Sequence, residues 1–151
     1  MKAYFLNQNN KNRWLILGHD VERPINVADT NNVVIMFGKE GSLIDPGGLE
    51  VFPKVLSTVN LSLPIRNIKN IILTSGDPQS VSSLALWRKV CQNSLQVWAP
   101  DLLAPLLGHL DSECDFCLIP DAGIDLSLNT DSNISLIPSH YLHSPSAYTV
   151  S

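Results

Sequence analysis

Apolar residues in the first part of the chain occur in short runs that turn-forming residues separate. Val33–Phe37 is continuously apolar, which is typical of a strand buried on both faces. Pro46-Gly47-Gly48 interrupts the pattern, and apolar residues then recur with helical spacing. We therefore predict a polar turn over Asp29–Asn32 and a hairpin turn over Gly38–Gly41. Strands are predicted over Ala3–Leu6, Arg13–Gly18, Val33–Phe37 and Ser42–Asp45, followed by a first helix over Leu49–Val59.

The middle of the chain alternates between β-branched runs and amphipathic runs. Ile68–Leu73 predicts a buried strand, and the apolar spacing within Ser80–Val90 predicts an amphipathic helix. Leu95–Trp98 predicts the next strand and Leu102–His109 a third helix. This order of strands and helices indicates an α/β fold with a mixed sheet. The later strands are predicted over Cys114–Ile119, Ile124–Leu128, Ile134–Ile137 and Ala147–Val150.

The composition narrows the classes of function. The chain has 151 residues, of which 44% are hydrophobic and 16% charged, so it suits one globular domain with a core. A net charge of −4 disfavours contact with a phosphate backbone, so we predict no nucleic-acid partner. No apolar run approaches the roughly 18 residues of a membrane helix, and no signal peptide is evident. We therefore predict a cytoplasmic protein without a membrane partner.

The three cysteines are Cys91, Cys114 and Cys117. Their odd number is typical of reduced thiols in the absence of a secretion signal. Cys114 and Cys117 have the Cys-x-x-Cys spacing of some redox and zinc sites. Their neighbours predict a strand rather than a helix start, and no second ligand pair with zinc spacing is present. We interpret them as two thiols on a strand, with redox or zinc chemistry as the alternative.

Four segments carry motifs in a fixed order. They are Val27–Ile35, the Leu-Ile-Asp-Pro-Gly turn around Asp45, the loop Thr74–Gln79 with its Asp-Pro pair, and the His-Tyr-Leu-His-Ser-Pro segment His140–Pro145. Together they resemble motifs of the metallo-β-lactamase superfamily, in its oxygen-binding di-iron and flavodiiron branch. The Asp-Pro loop is similar to that branch's His-x-Asp-Pro-Asp metal-binding loop. The last segment resembles a His-Phe-Leu-His-Ser-Pro-Gly loop whose second His binds metal.

The resemblance implies a fold and an extent. The superfamily domain is an αββα sandwich with mixed sheets, built from two similar halves. The resemblance covers nearly the whole chain but only the first portion of that domain. We therefore expect residues 1–151 to form a single metallo-β-lactamase-like domain that lacks the C-terminal part. That part supplies a bridging Asp and a final His in the family.

The resemblance also implies metal ligands, and this sequence retains them only in part. Asp77 and His143 match ligand positions, whereas Ser75 stands at the first His and Gln79 at the second carboxylate. A neutral hydroxyl or amide cannot balance the charge of two metal ions as a carboxylate does. We therefore predict no bound cofactor, or iron or zinc if another segment completes the site. The plainer interpretations are that Asp45 and Asp77 cap helices and that His143 is a loop histidine.

Two functions compete on this evidence. The first is a non-catalytic binding, sensory or assembly module. The second is a metal-dependent hydrolase or a di-iron oxygen-binding or oxidoreductase protein whose other ligands come from a separate segment. A Ser75–His143–Asp77 triad is a weaker alternative, because the first glycine of the Gly-x-Ser-x-Gly elbow is absent. Half a sandwich would leave an apolar sheet face uncovered, so we expect a homo-oligomer or docking of the missing half.

Overall fold

The fold was taken from a computed structural model, which describes residues 1–6, 12–18, 20–27, 32–91, 94–129, 132–139, 142 and 146–151. Short elements alternate through the chain, as the apolar pattern predicts. In chain order they are β1 (Lys2–Leu6), β2 (Asn12–Gly18), β3 (Asn32–Phe37), β4 (Glu40–Ile44), α1 (Phe52–Ser62), β5 (Ile68–Ile72), α2 (Pro78–Val81), α3 (Leu84–Cys91), β6 (Gln96–Pro100), α4 (Ala104–Leu107), β7 (Phe116–Ile119), β8 (Ile124–Asn129), β9 (Ser132–Pro138) and β10 (Tyr148–Val150).

The first seven strands form one mixed sheet in sequential order, from β1 at one edge to β7 at the other. Strands β1 to β4 pair antiparallel, and β4 to β7 pair parallel. Each parallel pair requires a crossover connection, which the helices supply. The carboxyl ends of β4 to β7 therefore share one edge of the sheet, where the loops that carry the motifs begin.

One face of this sheet packs against the helices. Val55 and Val59 of α1 and Leu84 and Trp87 of α3 are fully buried against strand residues such as Leu43. Each of these side chains contributes about 1.5–3 kcal/mol through the removal of apolar surface from water. The apolar stripe of each helix therefore forms the interior of the first layer, as its helical spacing predicts.

The opposite face is covered by a second sheet of three antiparallel strands, in the order β10-β9-β8. Ile35, Ile44 and Ile72 of the large sheet are buried against Leu126 and Ile134 of the small one. The described residues thus form α, β and β layers of the predicted α/β sandwich. The expectation of an uncovered apolar sheet face is wrong for this face, because the chain's own later strands bury it.

The outer face of the small sheet is mostly polar. Asp125, Ser127, Asn133 and Thr149 are exposed there, with Ile137 as the apolar exception. Alternation along the strands explains the division, because successive side chains point to opposite faces. Strand β1 differs, since every residue from Lys2 to Leu6 is exposed.

The helix boundaries depart from the predicted ones at the prolines. The first helix begins at Phe52 rather than Leu49, so that Pro53 lies in its first turn. The third begins at Ala104 rather than Leu102, which places Pro105 in its first turn. Proline lacks an N–H and is tolerated where helical N–H groups have no partner, but not further inside a helix. The third helix is also shorter than predicted.

The second predicted helix is interrupted. The backbone N–H of Ser83 donates to the carbonyl of Gly47, and the Ser83 hydroxyl contacts the same oxygen at 2.7 Å. The indole N–H of Trp87 donates to the carbonyl of Pro46 at 3.0 Å. These bonds anchor the segment to the turn after β4, so α2 and α3 are separate helices. A single helix over Ser80–Val90 is therefore wrong.

Two turns also differ from the predicted ones. Phe37 pairs with Glu40, so the hairpin turn holds only Gly38 and Lys39 and is shorter than predicted. Asn32 already belongs to β3 rather than to a turn, while the rest of that predicted turn lies outside the described residues. No helix in the described ranges is long and apolar enough to span a membrane.

Candidate functional site

Asp45 connects the turn after β4 to the loop after β5. Its carboxylate accepts a hydrogen bond from the Thr74 backbone N–H at 2.8 Å and another from the Thr74 hydroxyl. Its own N–H donates to the carbonyl of Ile72 at 2.9 Å. Asp45 has a φ of +50°, a left-handed conformation that Asp adopts more readily than most residues. The expectation that Asp45 caps a helix is wrong, because its carboxylate holds the neighbouring loop instead.

Asn32 completes this junction from the next strand. It is buried, and its side-chain amide donates to the Asp45 carbonyl. Gly47 lies beside it with a φ of +91°, and a Cβ there would be 3.0 Å from the Asn32 amide nitrogen. Glycine is therefore required at this position for both conformation and space. Sequence reasoning missed Asn32 and Thr74, since only the pairing of β3, β4 and β5 brings them to Asp45.

Ser75 and Asp77 contact each other within the loop that follows. The Ser75 hydroxyl donates to an Asp77 carboxylate oxygen at 3.4 Å, and the Asp77 N–H donates to that hydroxyl oxygen at 3.5 Å. Ser75 is buried, and Asp77 is half-buried. Asp77 is the N-cap residue of α2, but its side chain makes no capping hydrogen bond. Asp77 therefore occupies the predicted N-cap position, but the expectation that its carboxylate caps the helix is wrong.

Of the other predicted site residues, only Gln79 can be placed, and it is not brought to this contact. Gln79 lies exposed on α2. His143 and His140 lie outside the described residues. In the described ranges no three His, Cys, Asp or Glu side chains are grouped closely enough to hold a metal ion. The donors that the loop offers here, one hydroxyl and one carboxylate, do not fit a pair of metal ions, which needs several anionic or imidazole ligands.

The arrangement also disfavours the triad alternative. In a Ser-His-Asp triad the carboxylate orients the His, and the His contacts the Ser. Here the Ser75 hydroxyl is directed to Asp77 itself. The described contact therefore resembles a loop-stabilising hydrogen bond more than an activated nucleophile.

The thiols have the properties of structural cysteines. Burial raises the pKa of Cys91 to about 12 and that of Cys114 to about 11. Burial also raises the pKa of Cys117. Cys114 precedes β7 instead of lying on it, which corrects the predicted strand start, whereas Cys117 lies within β7. A redox-active Cys needs a lowered thiol pKa, so these environments disfavour a redox role. A zinc site is disfavoured because the described residues offer no group of three His, Cys, Asp or Glu side chains around these thiols.

Comparisons with known proteins give consistent results. The protein-family model described as ODP family beta lactamase matches residues 28–150. Among solved structures, the apo state of the chemotaxis sensor ODP from T. denticola matches with a TM-score of 0.82 and 25% identity, covering 99% of this chain and 58% of that one. The peroxy diiron species of the chemotaxis sensor ODP matches with a TM-score of 0.81 and 26% identity, over 97% of this chain and 57% of that one.

A more distant match shows the fold alone. A variant of the flavo di-iron protein from Thermotoga maritima matches with a TM-score of 0.79 at 15% identity, covering 99% of this chain and 40% of that one. A comparison with curated proteins found no match. The chain thus spans less than two thirds of the length of each of these three solved structures.

Proposed function

Since the chain belongs to the ODP family of β-lactamase-type proteins, we propose that it is a non-catalytic binding, sensory or assembly module within that family. The observation that carries this proposal is the Ser75–Asp77 contact. Ser75 stands at the position where the family resemblance implies a His. Its buried hydroxyl donates a hydrogen bond to the carboxylate of Asp77, which is retained. The loop keeps its anchoring to Asp45 while its metal-binding donors are reduced.

The chemistry of the donors supports the same proposal. Ser75 and Gln79 are neutral, and Gln79 is exposed on α2. Changing groups that only orient metal ligands typically lowers affinity about 10–100-fold. Replacing ligands themselves has a larger effect. We therefore propose that the chain holds no stoichiometric di-iron centre through its own residues.

A second candidate is a di-iron oxygen-binding or oxidoreductase protein completed by another segment. Two observations favour it: Asp77 is retained, and the chain spans only 57% of a relative whose structure holds a peroxy diiron species. In this case the remaining ligands would come from His143 and from outside the sequence considered. Iron, or zinc in a hydrolase, would then be the cofactor.

Metal analysis separates the two candidates. The chain is produced with supplied ferrous iron, purified without chelator, and its iron and zinc are measured per chain. Our proposal predicts well below one tightly held metal per chain, and no change in Asp77→Asn. Two tightly held metals per chain that Asp77→Asn removes would overturn it. The same measurement on the endogenous assembly, isolated from its own cells, tests whether another segment completes a site.

We also propose a protein partner and a cytoplasmic location. The exposed side chains of Tyr4, Phe5 and Leu6 on the edge strand β1 support a partner, either a second copy or a separate half of the family domain. An unpaired edge strand with exposed apolar residues favours strand addition by another chain. The proposal of a cytoplasmic location is supported by the three free cysteines Cys91, Cys114 and Cys117.

A further inference from the structure

The same dipeptide lies at the ends of two neighbouring parallel strands. Pro100 is the last residue of β6 and Asp101 follows it, whereas both Pro120 and Asp121 follow β7. The backbone N–H of Asp101 donates to the carbonyl of Ile119 at 3.0 Å, so the two strand ends lie side by side. Ligands of open α/β sheets bind in the crevice beyond the carboxyl ends of such strands. The two Pro-Asp pairs therefore lie next to each other at this edge of the sheet.

A small cavity opens at these strand ends. Its volume is about 170 Å³. Asp101 and Asp121 are exposed to solvent, whereas Ser146 and Tyr148 are buried. The cavity therefore combines two carboxylates at its solvent side with a mostly apolar interior. Its lining consists of Pro100, Asp101, Leu102, Asp121, Ser146 and Tyr148.

Ser146 gives independent evidence for a ligand. It is only 4% exposed and lines the cavity. Over the ranges that the structure describes, its hydroxyl has no hydrogen-bond partner. A buried hydroxyl without a partner costs free energy, so such groups normally meet a protein atom, a water molecule or a ligand. The Ser146 hydroxyl is available to a molecule that enters the cavity.

Two carboxylates, those of Asp101 and Asp121, act on the wall of the cavity. The hydroxyl of Tyr148 donates to the carbonyl of Pro120 at 2.9 Å, which fixes the ring beside the cavity. Burial raises the pKa of Tyr148, and the negative charges of Asp121 and Asp101 raise it further. Both carboxylates are therefore close enough to act on the cavity wall. A positive charge would be attracted to the same place.

We propose that this cavity binds a small alkylammonium ion. Its ammonium group contacts the carboxylates of Asp101 and Asp121 and the Ser146 hydroxyl, and its methylene groups pack on Pro100 and Tyr148. At about 30 Å³ per water-sized group, the cavity holds roughly five or six heavy atoms. A metal ion is the poorer occupant, because the described residues offer no group of three ligand side chains. This binding goes beyond the proposed function and is independent of iron.

Nuclear magnetic resonance tests the proposal directly. Uniformly ¹⁵N-labelled chain is titrated with n-butylammonium chloride, with n-butanol as the neutral probe of similar shape, and with NaCl and MgCl₂ as ionic controls. We expect saturable shifts of the backbone resonances of Asp101, Asp121, Ser146 and Tyr148 with n-butylammonium only. Equal shifts with n-butanol or NaCl, no saturation, or saturation by Mg²⁺ alone would each overturn the proposal.

Single substitutions locate the binding. Asp101→Asn and Asp121→Asn each remove one exposed charge, and we expect the dissociation constant to rise about fivefold in each. Ser146→Ala is expected to weaken binding about twofold to threefold without loss of the folded spectrum. Asp115→Asn is the matched control, since Asp115 is exposed outside the cavity. If Asp115→Asn raises the dissociation constant as much as Asp101→Asn and Asp121→Asn do, the ion is attracted by the overall negative charge and not by the cavity. That result would overturn the proposal.

Discussion

The carboxylate of Asp45 accepts hydrogen bonds from both the backbone N–H and the hydroxyl of Thr74. The two residues lie beyond the ends of the neighbouring parallel strands β4 and β5. This pair therefore fixes where the loop with Ser75 and Asp77 leaves the sheet. The resemblance places metal ligands in that loop, so the same pair sets the geometry of the site whether or not metal binds.

Asp45→Asn is expected to lower the free energy of unfolding by about 1–2 kcal/mol. Asn tolerates the left-handed backbone of Asp45, so the loss reports the charge-assisted hydrogen bonds rather than strain. Thr74→Val removes the hydroxyl bond alone, and the double variant should lose about 1 kcal/mol less than the sum of the single changes. Urea unfolding measures all three.

Thr58→Val is the control for the Thr74 substitution. The Thr58 hydroxyl donates to the Lys54 carbonyl within the same helix, α1, at 2.7 Å. We expect Thr58→Val to change stability by less than about 0.5 kcal/mol. Full additivity of Asp45→Asn and Thr74→Val would contradict the coupling of the two residues.

The ion pair between Asp20 and Lys54 makes the free energy of unfolding depend on pH in the acid range. The Asp20 carboxylate is 2% exposed and lies 2.7 Å from the Lys54 ammonium. The hydrogen bond from Lys54 holds the pKa of Asp20 below its ordinary value of 3.8. The contribution of Asp20 is therefore present above pH 3.8 and is lost as the pH falls through the lowered pKa.

The same ion pair makes the free energy of unfolding depend on pH in the alkaline range, through Lys54. The hydrogen bond to Asp20 raises the pKa of Lys54 above 10.5. Its contribution is present below pH 10.5 and is lost as the pH rises through the raised pKa. Lys54→Met should flatten the acid dependence of the unfolding free energy, measured by urea unfolding at several pH values. If the unfolding free energy of Lys54→Met depends on acid pH as strongly as that of the original chain, the lowered pKa of Asp20 does not depend on Lys54.

The thiols should react slowly with alkylating reagents. With pKa values of about 12 for Cys91 and about 11 for Cys114, at most about one thiol in a thousand is ionised at pH 8. We expect iodoacetamide to modify these two residues at least about a hundredfold more slowly than free cysteine, and at ordinary rates in urea. Mass spectrometry of peptides after timed reaction assigns the rate to each residue. A fast-reacting Cys114, or a Cys114–Cys117 disulfide in the purified chain, would restore the redox alternative.

Self-association is expected to depend on strand β1. Leu6→Lys places a charge on this exposed edge and should raise any dimer dissociation constant at least about tenfold. Ile25→Lys is the matched control, because Ile25 is 97% exposed in a loop outside the sheets. Sedimentation velocity over a dilution series measures the effect. Monomers at all concentrations would argue against a second copy as the partner.

The order of the helices and strands was predictable because the spacing of apolar residues within each short segment indicates which element it forms. Val33–Phe37 and Ile68–Leu73 are strands within one residue of their predicted bounds. The helix starts were less predictable, although the reason is again local. Pro53 and Pro105 set the first turns of α1 and α4, and a stricter use of proline's missing N–H would have corrected both starts.

The sequence alone determined the fold class, the resemblance to the di-iron branch, and the residues Ser75 and Gln79 at implied ligand positions. These features depend on residue identity and spacing within short segments. Only the tertiary structure decided that the small sheet buries the inner face, that Ser83 separates two helices, and that Asp45 binds Thr74. It also decided that Asp101, Asp121 and Ser146 share one cavity. Each of these depends on strand pairing between distant segments, which local sequence patterns do not encode.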